Sequence, residues 1–214
     1  FAFYKPDLTI TVADPYRAGN EVSYYPGEVN LRLADVVVIN KMDSASPEGI
    51  QIVRDNIRAC NPKAIVVDGA SPVEVDKPEL ITGKRCLIVE DGPTLTHGEM
   101  KIGAGTIAAR KFGASHEIDA RPYLVGKLKE TYAIYPNIGN ILPAMGYGEQ
   151  QLKDLEATIN NTDCDTVIIG TPIDLNRIIN IKKPTTRVHY DLAEIGLPDL
   201  KGVLEKFVAD HKLK

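Results

Sequence analysis

The 214-residue sequence contains no G-x-x-x-x-G-K-S/T. A loop of that kind presents backbone N–H groups to phosphates at a helix N-terminus, so the chain carries no phosphate cradle of the P-loop type. The nearest imitation, Thr82-Gly83-Lys84-Arg85, runs into the strand pattern Cys86-Leu87-Ile88-Val89, where a phosphate loop must run into a helix. Cysteine is scarce. Cys60, Cys86 and Cys164 are odd in number, far apart, and form no C-x-x-C and no Cys/His pair at metal-ligand spacing. They read as buried thiols in a reducing, cytoplasmic compartment. No apolar run approaches the ~20 residues a membrane span needs, and no signal-peptide pattern is present. Lys plus Arg is 25 and Asp plus Glu is 29, a net charge of −4, which offers nothing to a nucleic acid or an anionic membrane. Repeats and low-complexity segments are absent too. The first residues, Phe1-Ala2-Phe3-Tyr4, include no Met, and the expectation is a start within a longer protein.

What is present is an ordinary globular composition, 43% hydrophobic and 25% charged, enough for one large or two small domains. The most informative stretch is the apolar run at residues 36–39 followed by Asn40-Lys41-Met42-Asp43. Guanine presents N1–H and N2–H₂, which one carboxylate accepts in a two-point contact. Adenine lacks both donors there, so Asp43 would select guanine. Asn40 would bond the other base edge and the Lys41 stem would cover its face. The order places these groups at the carboxyl end of a buried strand, where open α/β sheets bind ligands. It looks like the fourth motif of GTPases. The alternative is a strand that ends in a polar turn and a helix cap.

Periodicity gives a strand at residues 8–13, a short helix at 28–34, the strand 36–39, a helix at 47–59 capped by Ser46 with Pro47 at its first position, and a strand at 64–67. That alternation is the mark of a parallel sheet with crossovers. A linker-like stretch, 71–83, leads to a second unit with strands at 85–90, 166–169 and 186–192. Its helices are expected at 103–112, 123–135 and 149–159, with a closing helix at 200–211 whose Leu204, Phe207 and Val208 face inward. The expected fold is α/β and mostly parallel: residues 1–80 as the C-terminal part of a P-loop NTPase-like unit, and 81–214 as a second α/β domain. The strand at 8–13 would have lost its neighbours and present an edge, to be covered by dimerising or by the second unit; a homo-oligomer is therefore a candidate partner.

The densest chemistry lies in Asp91-Gly92-Pro93-Thr94-Leu95-Thr96-His97-Gly98-Glu99. Glycines allow close backbone approach, and Thr94 and Thr96 supply hydroxyls to a substrate. His97 could serve as general acid/base, with Asp91 or Glu99 orienting it or holding Mg²⁺. Lys101, Arg121 and Arg110 would bring positive charge toward a phosphorylated substrate. A polar turn with His97 bonded to backbone is the equal alternative. Ser71, after the strand at 64–67, stands where a GTPase offers a backbone N–H to the base carbonyl, or is a plain turn. Gly103-Ala104-Gly105 reads as close helix–sheet packing. The turn 170–174 either faces an anion or caps a helix through Asp174.

The segments Phe3–Asp7, Asp14-Pro15, Tyr24–Glu28, Ala34–Lys41, Val89–Met100, Leu142–Gly146 and Ile168–Asp174 together resemble the archaeal cyclic 2,3-diphosphoglycerate synthetases and the predicted GTPases related to them. The resemblance covers nearly the whole chain, with Val89–Met100 the most specific part. It implies the C-terminal half of such a protein, with the phosphate loop upstream. It further implies an enzyme that uses GTP or ATP, with Mg²⁺, to activate a small phosphorylated metabolite, and an isolated chain that is inactive. GTPase switches, maturation factors and non-catalytic fragments are the other classes the motifs allow. ATP use in the named family conflicts with the guanine logic of Asp43.

Overall fold

The computed structural model describes residues 5–92 and 103–211. Its strands are β1 (Ile10–Ala13), β2 (Val36–Ile39), β3 (Ile65–Ala70), β4 (Val73–Val75), β5 (Arg85–Asp91), β6 (His116–Glu117), β7 (Leu142–Ala144), β8 (Thr166–Gly170), β9 (Thr185–Tyr190) and β10 (Ala193–Glu194). The described helices are α1 (Asn20–Ser23), α2 (Tyr25–Leu33), α3 (Pro47–Cys60), α4 (Ala104–Lys111), α5 (Lys127–Ile134), α6 (Glu149–Asn161) and α7 (Leu200–Asp210). They form two α/β units with mostly parallel sheets, one of Phe1–Pro72 with Asp191–Lys214 and one of Val73–Tyr190.

In the first unit the order is β1-β2-β3-β10, with β1, β2 and β3 parallel and β10 antiparallel to β3. All four residues of β2 are buried, because helices cover both faces. Ala13, Val37 and Ile39 pack with Leu31 of α2 and with Val53 and Ile57 of α3. On the other face Val36, Val38 and Val67 meet Leu8, Leu200 and Val203. Each fully buried Val or Ile contributes roughly 1.5–3 kcal/mol. Helix α3 starts where the sequence says it should: Gly49 N–H donates to Ser46 Oγ at 3.1 Å, and Pro47 occupies the first turn. Among the described residues β1 and β10 are the outer strands of this sheet, and Val12 of β1 is 64% exposed.

Two differences from the sequence reading concern the C-terminus. The boundary falls near residue 72, not 80, and the last segment returns to the first unit. The reason is nonlocal: β4 pairs with β9, whereas β10 pairs with β3 and α7 packs on β2 and β3. The inward stripe of α7 begins at Leu200 and Val203; Leu204 and Val208, expected inside, are 44% and 43% exposed. The apolar residues of this helix form a wide stripe, and the sheet it meets selects one side of it.

In the second unit β5 is central. β8 and β9 extend the sheet on one side, and β4 closes it antiparallel. On the other side β6 lies beside the start of β5 and β7 beside its end. Alternate residues split the core: Leu87, Val89, Val167 and Ile169 face α5 and α6, while Cys86, Ile88 and Ile168 face α4. The chain leaves β5 toward β7 and then crosses to β8 on the opposite side. The carboxyl ends of β5 and β8 are thus a topological switch point, where a crevice opens in open α/β sheets. Glu90 and Gly170 are partners at that point. No described helix is long and apolar enough to cross a membrane.

Candidate functional site

Parallel register brings the ends of β1, β2 and β3 to one edge of the first unit. Asp14, Asn40 and the residues after Ala70 follow directly. Lys41 has φ 58°, a left-handed conformation that costs a non-glycine residue about 1–2 kcal/mol. The turn is over-determined. Ser44 and Ala45 N–H donate to Lys41 O at 3.2 and 2.9 Å, and Met42 N–H reaches Gly69 O at 3.0 Å. The Tyr16 hydroxyl donates to Ser44 O at 2.7 Å. Lys41 Nζ lies 2.9 Å from Asp14 Oδ2 and 5.9 Å from the centre of the Tyr16 ring. Burial pushes the Asp14 carboxyl up, but the hydrogen bond and charge of Lys41, the Tyr16 N–H and Arg17 outweigh it and hold it below its ordinary value.

The structure brings Asp43 and Ser71 together: Ser71 N–H donates to Asp43 Oδ1 at 2.9 Å. This holds the carboxylate without exhausting its lone pairs. Asn40 donates its backbone N–H to Ala13 O at 3.0 Å, while its Oδ1 is buried and has no partner among the described residues. Asp68 Oδ1, on the neighbouring strand, is in the same condition, although Asp68 Oδ2 takes Arg54 at 2.6 Å. A buried acceptor without a donor is costly. A donor supplied by a ligand or by further polypeptide would satisfy Asn40. This edge therefore gathers a fixed carboxylate, an amide whose oxygen lacks a donor, and a clamped lysine stem.

At the carboxyl edge of the second unit Asp91 ends β5. Thr94, Thr96, His97, Glu99 and Lys101 lie outside the described residues. Arg121 is spent elsewhere. Asp119 holds it at 2.6 Å and Asn140 Oδ1 accepts from it at 3.2 Å. Arg110 pairs with Glu117 at 3.0 Å. At the turn after β8, Asp174 Oδ1 accepts the Asn176 N–H at 3.2 Å, a cap for the short turn Leu175–Arg177.

Sequence reasoning missed Glu90. Its side chain is buried, 2% exposed, at the switch point. Its Oε1 accepts the Thr106 N–H at 2.9 Å and the Thr106 hydroxyl at 3.4 Å. Glycines make its room: a Cβ on Gly170 would stand 2.6 Å from Oε2, and one on Gly103 would overlap the same carboxylate. The Gly103-Ala104-Gly105 start of α4 thus packs closely, as expected, and what it packs on is an acid. Burial pushes Glu90 up to about 7, against the Thr106 and Gly105 hydrogen bonds and with Asp91 adding to the rise. The signal in the sequence was a carboxylate ending an otherwise apolar strand, with a Gly-x-Gly helix start to follow. Tyr147 is likewise raised by burial and by the charge of Asp91, so the two share this edge.

No protein-family model matches the chain. Among curated proteins, the whole chain aligns with arginine synthetase ArcE of Thermococcus kodakarensis, 59% identical over 215 residues. The relative is an archaeal synthetase. The resemblance is thereby upheld at the level of a synthetase and corrected in its particular, since this relative is not a cyclic 2,3-diphosphoglycerate synthetase. The alignment takes in 100% of this chain but 48% of the relative, so the chain spans about half the length of the curated protein it matches.

Proposed function

We propose that this chain is the base-binding and substrate-binding half of a nucleotide-dependent synthetase of the arginine-forming kind. The observation that carries this is 59% identity over 100% of the chain to a protein named for that activity. The edge of the first unit supports the nucleotide part. Asp43, anchored by Ser71, would read the base; Asn40 would bond its other edge, whose O6 and N7 are acceptors, through its side-chain N–H₂; Lys41, clamped by Asp14, would cover its face. Nucleotide phosphates with Mg²⁺ would be held by residues outside this chain, which has no phosphate loop. GTP is the nucleotide that Asp43 favours, and ATP the competitor.

Making a guanidinium from a ureido group requires loss of its oxygen, a poor leaving group. Transfer of the terminal phosphoryl group to that oxygen turns it into phosphate. An amine nitrogen then attacks the carbon, the C–O bond breaks with its electron pair leaving on phosphate, and a base takes the amine proton. Asp91, His97 and Glu99 are the candidates in sequence for proton transfer, and Thr94, Thr96 and Lys101 for holding the substrate. A second reading keeps the phosphoryl activation but applies it to a phosphorylated acid; the segment Val89–Met100 favours it. The native protein, given GTP or ATP with Mg²⁺, ammonia and a ureido amino acid, should release phosphate and form arginine, read by chromatography. Phosphate release with 2,3-diphosphoglycerate and none with the ureido acid would favour the second reading. Cleavage of neither mixture would overturn the synthetase assignment.

A further inference from the structure

The guanidinium of Arg187 in β9 is nearly unspent. Among the described residues its Nε is buried with no hydrogen-bond partner, its NH2 reaches Pro172 O only at 3.4 Å, and NH1 lies 3.8 Å from Asp174 Oδ2. An arginine has five N–H donors in a planar fork suited to a carboxylate. Asp174 does not absorb them. Its carboxylate takes the Asn176 N–H and side-chain amide at 3.2 Å each, and Arg177 at 3.5 Å. Arg187 and Arg177 thus share Asp174, while Asp76, opposite Arg187 across β4 and β9, is taken by His189 at 2.6 Å.

Position adds to this. Arg187 pairs with Ile169, which pairs with Val89, one residue below the end marked by Glu90 and Gly170. The contacts of the guanidinium with Pro172 and Asp174 place it under the loop that leaves β8, at the carboxyl edge of the sheet. The side chain is 27% exposed, so a small ligand can reach it. Residues 167 and 169 face α5 and α6, and by the alternation of a strand Asp91 points to that face of β5.

We propose that Arg187 is the anchor for the α-carboxylate of an amino-acid substrate bound at the carboxyl edge of the second unit. This rests on the synthetase reading for the identity of the ligand. Arg187 makes the fork contact, and Asp174 keeps the guanidinium aimed from behind. A carboxylate reaching the accessible part of the guanidinium completes a charge-assisted, bidentate pair. Lysine offers a point charge on a longer stem without that fork.

The test is calorimetric titration of the native protein and of Arg187→Met and Arg187→Lys, with L-arginine, agmatine (which lacks the carboxylate) and inorganic phosphate as probes. The expected result is tighter binding of L-arginine than of agmatine. Arg187→Met should lose at least tenfold for L-arginine and nothing for agmatine, Arg187→Lys should recover part of the loss, and melting temperatures should be little changed. Unchanged L-arginine affinity in Arg187→Met, with or without a lower melting temperature, overturns the anchor; if arginine still forms in the turnover assay, the synthetase reading survives that failure. Wild-type protein that ignores L-arginine but binds phosphate through Arg187 overturns the amino-acid assignment.

Discussion

Glu90→Gln tests whether the buried carboxyl at the switch point governs the stability of the second unit. Glu90 is raised from 4.5 to about 7, so the folded state holds its proton where the unfolded chain has released it. Stability from this group is complete below about pH 4.5, declines as pH rises through the window from 4.5 to 7, and is flat above. A rise of about 2.5 units corresponds to about 3 kcal/mol, with little screening because the side chain is 2% exposed. Asp14 and Asp119 are held low, so their contributions are lost only at pH values below that window. Gln keeps the size and an acceptor for Thr106 N–H but turns N–H₂ toward the helix start, a cost of about 1 kcal/mol. The sequence has no Trp, so urea unfolding would be followed by circular dichroism and tyrosine fluorescence at pH 5, 6, 7 and 8. Wild type should lose about 2–3 kcal/mol across the series in the transition of the second unit, while Glu90→Gln stays level and is the more stable protein at pH 8. Equal slopes in the two proteins would refute the reasoning, since the titrating group would then lie elsewhere.

Three further expectations follow from the same geometry. Asp43→Asn in the native protein should move nucleotide preference from guanine toward xanthine at least tenfold, read by competition with labelled GDP; equal competition by ADP in wild type would count against the guanine site. Gly103→Ala should destabilise by about 1–3 kcal/mol, because its Cβ meets the Glu90 carboxylate, and unchanged denaturant midpoints would show that α4 can shift without cost. This chain by itself should fold but bind a GTP analogue with Mg²⁺ only weakly and release no phosphate in calorimetric and phosphate assays; tight Mg²⁺-dependent binding would mean that a phosphate site exists within these residues.

Local pattern sufficed for much of the fold. The β-branched runs at β2, β5 and β8 and the capped, amphipathic α3 fall within a residue or two of where periodicity puts them, because strand burial and helix capping depend on neighbours close in sequence. The Asn40-Lys41-x-Asp43 turn was legible for the same reason, as a motif at the end of a buried strand. What only tertiary structure decided lies across long separations. The pairing of β10 with β3, 123 residues apart at Ala193 and Ala70 in register, moved the C-terminus to the first unit. The side of α7 that turns inward was set by the sheet it covers. Asp43 acquired its Ser71 partner 28 residues away. Glu90 and Arg187 show the limit most plainly, since a side chain's proton affinity and unspent donors follow from what surrounds it, and glycines from two other segments and a loop after another strand supply those surroundings.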